Sequence, residues 1–329
     1  MGLYNILGLK DTLNGIYGKA IEQSAGKDSP TGHFELMGLI TEVPQTTFPK
    51  GFPTEILELV KKTFEHEIID GGVASGTEVI NQYGDLHIQT KNPIVYTSAD
   101  SVIQIACHID IYSVNSLHNY CNMIRHSLPS SYNVGRIIAR PFNGNSEHYY
   151  RTEDRKDFTL PPSSDTVLNL LKNYGKDVIS IGKIDNIFSM SGITKTLHTN
   201  SNDDGICKII ETLKTQYNGL IFANLIDFDM VYGHRNDFVG YARALEIFDN
   251  ALNEILPLIN KDDLLIITAD HGCDPTTKGT DHTREYVPVL IHTPSILYKN
   301  LGIIYMSDVA ATIANHHNIE YKLNGTSLL

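Results

Sequence analysis

The stretch that decides the fold runs from Asp263 to Leu290, DLLIITADHGCDPTTKGTDHTREYVPVL. Leu264-Leu265-Ile266-Ile267 is a short apolar run that reads as a buried strand. It empties into Ala269-Asp270-His271-Gly272, and a second pair, Asp281-His282, follows in the same stretch. Carboxylates and imidazoles gathered at a strand end are groups that divalent metals accept. The arrangement recurs upstream, where the apolar run 219–226 (GLIFANLI) ends in Asp227-Phe228-Asp229 and Gly233-His234-Arg235 comes shortly after. Two such exits facing each other would supply Asp229, His234, Asp270, His271 and His282. Mixed oxygen and nitrogen ligands suit manganese or zinc better than calcium. For one Asp-His pair, a helix cap and a surface histidine would be the plainer reading. Three pairs after two strand ends favour a shared metal centre.

Outward from this stretch, strands and helices alternate. Helix 164–173 leads to strand 178–182, helix 203–216 to strand 219–226, and a helix over about 237–260 to strand 264–268. Apolar residues at Tyr241, Leu245, Phe248, Leu252, Ile255 and Ile259 give that last helix one buried face. Strand 287–292 and a helix over 308–316, capped by Ser307, complete the series. Such alternation predicts an α/β core with a mostly parallel sheet between helices, ligands collecting beyond the carboxyl ends of its strands. From about Pro44 to Phe158 the elements look shorter: helix 54–64, strands 94–97 and 135–139, and helix 115–127 between them. This predicts a smaller inserted α+β domain, with Pro161-Pro162 at its exit. The expected division is core at 1–43, cap at 44–158 and core again at 159–329. Residues 1–25 show only weak periodicity and no clear first strand.

Composition narrows the function. The 329 residues carry a formal net charge of -12, which argues against a broad nucleic-acid surface. No apolar run is long enough to span a bilayer. The start, MGLYNILGLKDTLNG, lacks the pattern of a signal peptide, and Ile6 spoils the myristoylation pattern. The four cysteines, at 107, 121, 207 and 273, have no metal-motif spacing and read as reduced thiols of a cytoplasmic protein.

The segment Gly26-Lys27-Asp28-Ser29-Pro30-Thr31-Gly32-His33 feeds an apolar helix. Ser29 and Thr31 offer hydroxyls that a metal would activate as phosphate acceptors. They read equally as helix-capping residues with Glu35 downstream.

With Tyr96–Val102 (YTSADSV), Gly135–Phe142 (GRIIARPF), Asp227–Asp229, Gly233–Arg235, Ala269–Gly272 and Thr280–Pro288 (TDHTREYVP), this segment resembles the phosphopentomutase family of the alkaline phosphatase superfamily. The resemblance runs from about residue 20 to the C-terminus. It implies an isomerase of nucleoside catabolism that interconverts ribose 1-phosphate, or its 2-deoxy analogue, and the 5-phosphate. Ser29 occupies the position of the family's phosphorylated hydroxyl, usually a threonine. Asp229, His234 and His282 match the ligands of one manganese, Asp270 and His271 those of a second. Ser98, Asp100, Val102 and Ile138 fall at the sugar-binding positions, and Arg136, Arg151 and Lys183 where the family holds the distal phosphate. Each arginine alone also reads as a surface ion pair. The resemblance further implies a sugar bisphosphate activator and pentose phosphates as partners.

One departure stands out. Nothing before Gly26 matches the family's first strand or its Asp-Ser-x-Gly metal ligand, and Asp11 is the only carboxylate before Glu22. The expectation is a weakened second metal position. It keeps two rivals open: a related phosphomutase or phosphatase, such as a phosphoglycerate mutase, and an inactive sugar-phosphate-binding protein.

Overall fold

A computed structural model describes residues 15–294 and 298–329. The chain divides into two compact units, one of residues 1–42 with 161–329, the other of residues 43–160. The first unit opens with strand β1 (Gly15–Ile21) and helix α1 (Ser29–Leu36). β1 falls where the sequence showed no clear strand. Its pattern, GIYGKAI, turns only Ile16 and Ala20 fully inward, and its glycines and lysine hide the alternation. Gly18 is required by packing, since a Cβ there would stand 2.9 Å from Leu301 Cβ.

The second unit comprises α2 (Thr54–Phe64), β2 (Ile69–Val73), α3 (Gly76–Thr90), β3 (Ile94–Thr97), β4 (Val102–His108), α4 (Val114–Ser127), β5 (Arg136–Asn145), β6 (His148–Arg151) and β7 (Lys156–Thr159). Its sheet has the order β2-β3-β4-β5-β6, with β7 also paired to β5. Every residue of β4 is buried, because both faces of the sheet are covered. On one face Ile103, Ile105 and Cys107 pack with Ile56, Val60, Leu117 and Cys121 of α2 and α4. On the other, Ala106 packs with Val79 and Ile80 of α3 and with Phe142. Cys107 and Cys121 are free buried thiols, and burial raises the pKa of both.

The chain returns to the first unit through α5 (Val167–Asn173), β8 (Asp177–Ile181), α6 (Ile184–Ile187), β9 (Lys195–Leu197), α7 (Asn202–Leu213), β10 (Gly219–Ala223), α8 (Phe238–Ile255), β11 (Leu265–Ile267), β12 (Val287–His292), β13 (Tyr298–Tyr305) and α9 (Asp308–His316). This is an α/β architecture, and the first unit holds two sheets. β10-β8-β9 is wholly parallel. In β11-β12-β1-β13, β12 runs antiparallel to both neighbours and β1 pairs in parallel with β13. Among the described residues, β10 and β11 each have strand pairing on one side only. The core joins Ile16, Val178, Val289 and Ile291 of the strands to Phe34 of α1, Leu168 of α5 and Ile313 of α9.

Two helix expectations change. α8 ends at Ile255, where Leu256-Pro257-Leu258 tightens into a 3-10 turn, because Pro257 cannot donate to the helix ladder. Its inner face is Ala244, Leu252 and Ile255, while Leu245 is 51 % exposed. Ser307 does not cap α9: its hydroxyl donates to Gln23 Oε1. Asp308 does the local work, accepting from Tyr305 N at 2.9 Å and from Thr326 N at 2.7 Å.

His317 follows α9. Burial pushes its imidazole from 6.5 down to about 4, with His316 and Lys176 adding to the effect. The unfolded chain therefore takes up this proton first. The stability cost is absent above pH 6.5 and grows as pH falls toward 4. Thermal melts at pH 7 and pH 5 should show a smaller drop for His317→Asn than for the unmodified protein. Equal drops would contradict this assignment.

Candidate active site

Asp28 caps α1, its carboxylate accepting from Thr31 N at 3.0 Å and from Thr31 Oγ1 at 2.8 Å. The capping role therefore belongs to Asp28 and engages Thr31. Ser29, in the first turn, is left with its Oγ 3.2 Å from His271 Nε2. The capping reading therefore falls on Asp28 and Thr31, and the Ser29 hydroxyl takes no part in that cap.

α1 lies hard against the exit of β11. A Cβ on Gly32 would stand 1.7 Å from Asp270 O, so only glycine allows this approach. Gly32→Ala should force α1 away from Asp270, cost about 3 kcal/mol of stability and disable the site. A denaturant melt within the error of the unmodified protein would contradict this.

One turn after Ser29, His33 is 3 % exposed. Its Nδ1 donates to Ser29 O at 2.8 Å and lies 3.0 Å from Asp270 Oδ2. Burial opposes the charge on His33, yet the Asp270 carboxylate raises its pKa overall. Burial likewise opposes ionisation of Asp270, but His33 and then His271 hold it well below the usual carboxylate range. His33 was not among the sequence-predicted site residues. Its spacing of four from Ser29 placed it on the same helix face, and that was the available signal.

β10 delivers the second carboxylate. Asp227 is engaged by α7: its Oδ2 accepts from Asn202 N at 2.7 Å, while Asn202 Oδ1 accepts from Asp227 N at 2.9 Å. The turn Phe228–Tyr232 then points Asp229 at two imidazoles. Asp229 Oδ1 is 3.2 Å from both His234 Nε2 and His282 Nε2, and these nitrogens are 3.2 Å from each other. His234 Nδ1 bonds Thr280 O, and His282 Nδ1 bonds Lys27 O at 2.9 Å. With Nδ1 occupied by a carbonyl, each ring keeps Nε2 facing Asp229, as in histidines that ligate metals. Burial opposes ionisation of Asp229, but the bond from His282 lowers its pKa overall.

Asp229, His234 and His282 form a group able to hold a metal ion. Their 3.2 Å spacings fit one ion at ~2.1 Å from each atom, for which ligand atoms stand about 3.0 Å apart in octahedral and about 3.4 Å apart in tetrahedral coordination. Beside this group, the His271 ring stacks on His282 with centroids 3.7 Å apart. Asp270 Oδ2 and Ser29 Oγ lie 3.3 and 3.2 Å from His271 Nε2. The two strand exits therefore meet through the His271–His282 stack, and of the five predicted acids and histidines it is His271 that reaches the hydroxyl of Ser29. Cys273 is a neighbour, its Sγ 4.0 Å from Asp229 Oδ1. Asp11 lies outside the described residues.

Lys183 follows β8, exposed, with Nζ 3.5 Å from Met230 Sδ. The other sequence-predicted substrate residues belong to the 43–160 unit. Ser98 Oγ and Asp100 Oδ2 are 3.4 Å apart in the turn after β3. Val102 and Arg136 are register partners at the starts of β4 and β5. Ile138 pairs with Gln104, and it and Val102 are each 3 % exposed. Arg136 lies 3.7 Å from Asp157, a loose pairing, since Asp157 binds Arg155 through both oxygens at 2.6 Å. Arg151 Nη2 reaches Tyr96 OH at 3.5 Å, while its Nε is buried without a protein partner.

Residues 22–321 match the model of the Metalloenzyme superfamily. The chain is 51 % identical to a phosphopentomutase of Caldanaerobacter subterraneus subsp. tengcongensis over 336 aligned positions, covering 100 % of this chain and 86 % of that protein. It is 47 % identical to a phosphopentomutase of Dictyoglomus thermophilum over 338 positions, with 100 % and 86 % covered. Among solved structures, the PH0037 protein of Pyrococcus horikoshii shares the fold with a TM-score of 0.51 at 13 % identity, over 95 % of this chain and 89 % of that one.

Proposed function

This chain belongs to the phosphopentomutase family of the Metalloenzyme superfamily, and on that premise we propose that it moves a phosphoryl group between C1 and C5 of ribose or 2-deoxyribose by way of Ser29. Phosphorylated Ser29 gives its phosphoryl group to the free hydroxyl of the sugar monophosphate, so that the bond from phosphorus to Ser29 Oγ breaks as one to the sugar oxygen forms. The sugar bisphosphate reorients, and Ser29 Oγ takes the other phosphoryl group. The observation that carries this reading is the position of Ser29 Oγ, 3.2 Å from His271 Nε2 and beside the Asp229–His234–His282 group.

Asp229, His234 and His282 are assigned to hold one divalent cation, Asp270 and His271 the second. Manganese is the assigned metal, because mixed carboxylate and imidazole donors suit it. When bound, such cations neutralise charge on the transferring phosphoryl and lower the pKa of the Ser29 hydroxyl. His33 holds Asp270 in its ionised form and fixes the carbonyl of Ser29. Within the 43–160 unit, Ser98, Asp100, Val102 and Ile138 are assigned to sugar recognition and Arg136 and Arg151 to phosphate binding, where a guanidinium fork suits the anion. A sugar bisphosphate primes Ser29, and the cytoplasm is the assigned place of action.

Phosphorus NMR tests this directly. With Mn2+ and a trace of sugar bisphosphate, ribose 1-phosphate should convert to ribose 5-phosphate with little inorganic phosphate. Release of inorganic phosphate as the main product would make it a phosphatase. Turnover of 3-phosphoglycerate in preference to the pentose would make it a different mutase. Binding of the sugar phosphate without turnover would make it a binding protein.

A further inference from the structure

The segment between β1 and α1 is gripped from two sides. From α1, the buried Glu35 carboxylate accepts from Gln23 N at 2.9 Å and from Ser24 N at 2.7 Å. From the other side comes Arg284, two residues beyond His282. Its Nη1 donates to Gly26 O at 2.8 Å and Ala25 O at 3.3 Å; its Nη2 donates to Ser24 O at 2.7 Å and Glu22 O at 3.3 Å. Lys27 ties the same two loops, its Nζ donating to His282 O at 2.6 Å and to Asp281 Oδ2 at 2.5 Å.

A guanidinium ordinarily seeks a carboxylate or phosphate as a bidentate partner. Here the Glu22 carboxylate is 3.8 Å away, and the short bonds all go to main-chain carbonyls. Arg284 therefore fixes the path of a backbone. That backbone ends at the nucleophile, and the loop that carries Arg284 also carries His282.

We propose that Arg284 is a positioning residue for phosphoryl transfer, its fork holding segment 22–26 so that Ser29 Oγ keeps its register with the loop bearing His282. This inference rests on the mutase reading above. Ser29 must gain and lose a highly charged group in each cycle without moving, and a displacement of about 1 Å costs about a hundredfold in rate. The side chain of Arg284 is 43 % exposed, so its removal leaves the apolar core intact.

The test compares Arg284→Ala and Arg284→Lys with the unmodified protein and Ser29→Ala. It measures steady-state kinetics on ribose 1-phosphate at saturating Mn2+, and hydrogen–deuterium exchange of peptides spanning 22–28 without added metal. Arg284→Ala should lower kcat about a hundredfold and change KM for the sugar phosphate less than about threefold. Its 22–28 amides should exchange faster, with α9 peptides unchanged. Arg284→Lys should recover part of kcat, since an ammonium reaches some of the same carbonyls; it carries the comparison if the alanine variant does not fold. An unchanged kcat, unchanged exchange in 22–28, or a loss abolished by raising Mn2+ would overturn the proposal. An unmodified protein that fails to interconvert the pentose phosphates would instead remove the mutase reading, and the exchange comparison would still decide whether Arg284 orders the segment.

Discussion

Ser29→Ala should abolish conversion of ribose 1-phosphate, with kcat lowered by a factor of about 10³ or more, while the protein stays folded. The size of the effect follows from the chemistry, because the substitution deletes the atom proposed to carry the phosphoryl group. The structural cost is small. Among the described residues the Ser29 hydroxyl bonds the His271 ring alone, and the helix start is secured independently by Asp28 and Thr31. Ser29→Thr should keep activity within about tenfold, since it preserves the hydroxyl and Pro30 already fixes the first turn. Kinetics on the two variants, with thermal melts as the folding control, check both statements. Activity in the alanine variant near that of the unmodified protein would mean that phosphate travels by another route.

Asp229→Ala should be nearly as damaging. Asp229 Oδ1 lies 3.2 Å from both His234 Nε2 and His282 Nε2, so its loss removes the carboxylate that these two imidazole nitrogens share. Loss of a direct ligand exceeds the 10–100-fold typical of residues one step further out, and a fall in activity of about 10³-fold is expected. The readout that does not depend on turnover is thermal stability. Binding to the folded state alone stabilises by about 4 kcal/mol at a thousand times Kd. The unmodified protein should therefore gain melting temperature as Mn2+ is added and lose it to chelator. Asp229→Ala should respond much less. An equal response would place the ion elsewhere.

How much of this was legible from the sequence depended on the range of each interaction. The strand exits at Asp229 and Asp270 were readable because an apolar run and a following Asp-His pattern are local. The motif resemblance then joined His282 to Asp229 and His234, three residues whose ligand atoms the structure places 3.2 Å apart. β1 was not readable: two glycines and a lysine interrupt its alternation, and it gains its place from β12 and β13, which lie far along the chain. β13 was missed for a related reason, since YKNLGIIY is exposed at most positions and shows no buried face. Arg284 was invisible as a positioning candidate because its partners are carbonyls, which carry no residue identity. His33 was quoted with the Ser29 segment but given no role, because its partner Asp270 lies far along the chain.

The central claim is that Ser29 carries the phosphoryl group between the two ends of the sugar. The most direct measurement is mass spectrometry of the protein after incubation with Mn2+ and a pentose 1,5-bisphosphate, followed by peptide mapping. The account predicts a mass increase of one phosphoryl group, located on Ser29 within Gly26–His33 and discharged when ribose 1-phosphate is added. A phosphoryl group on Thr31 or any other residue, or interconversion of the pentose phosphates by Ser29→Ala, would contradict it.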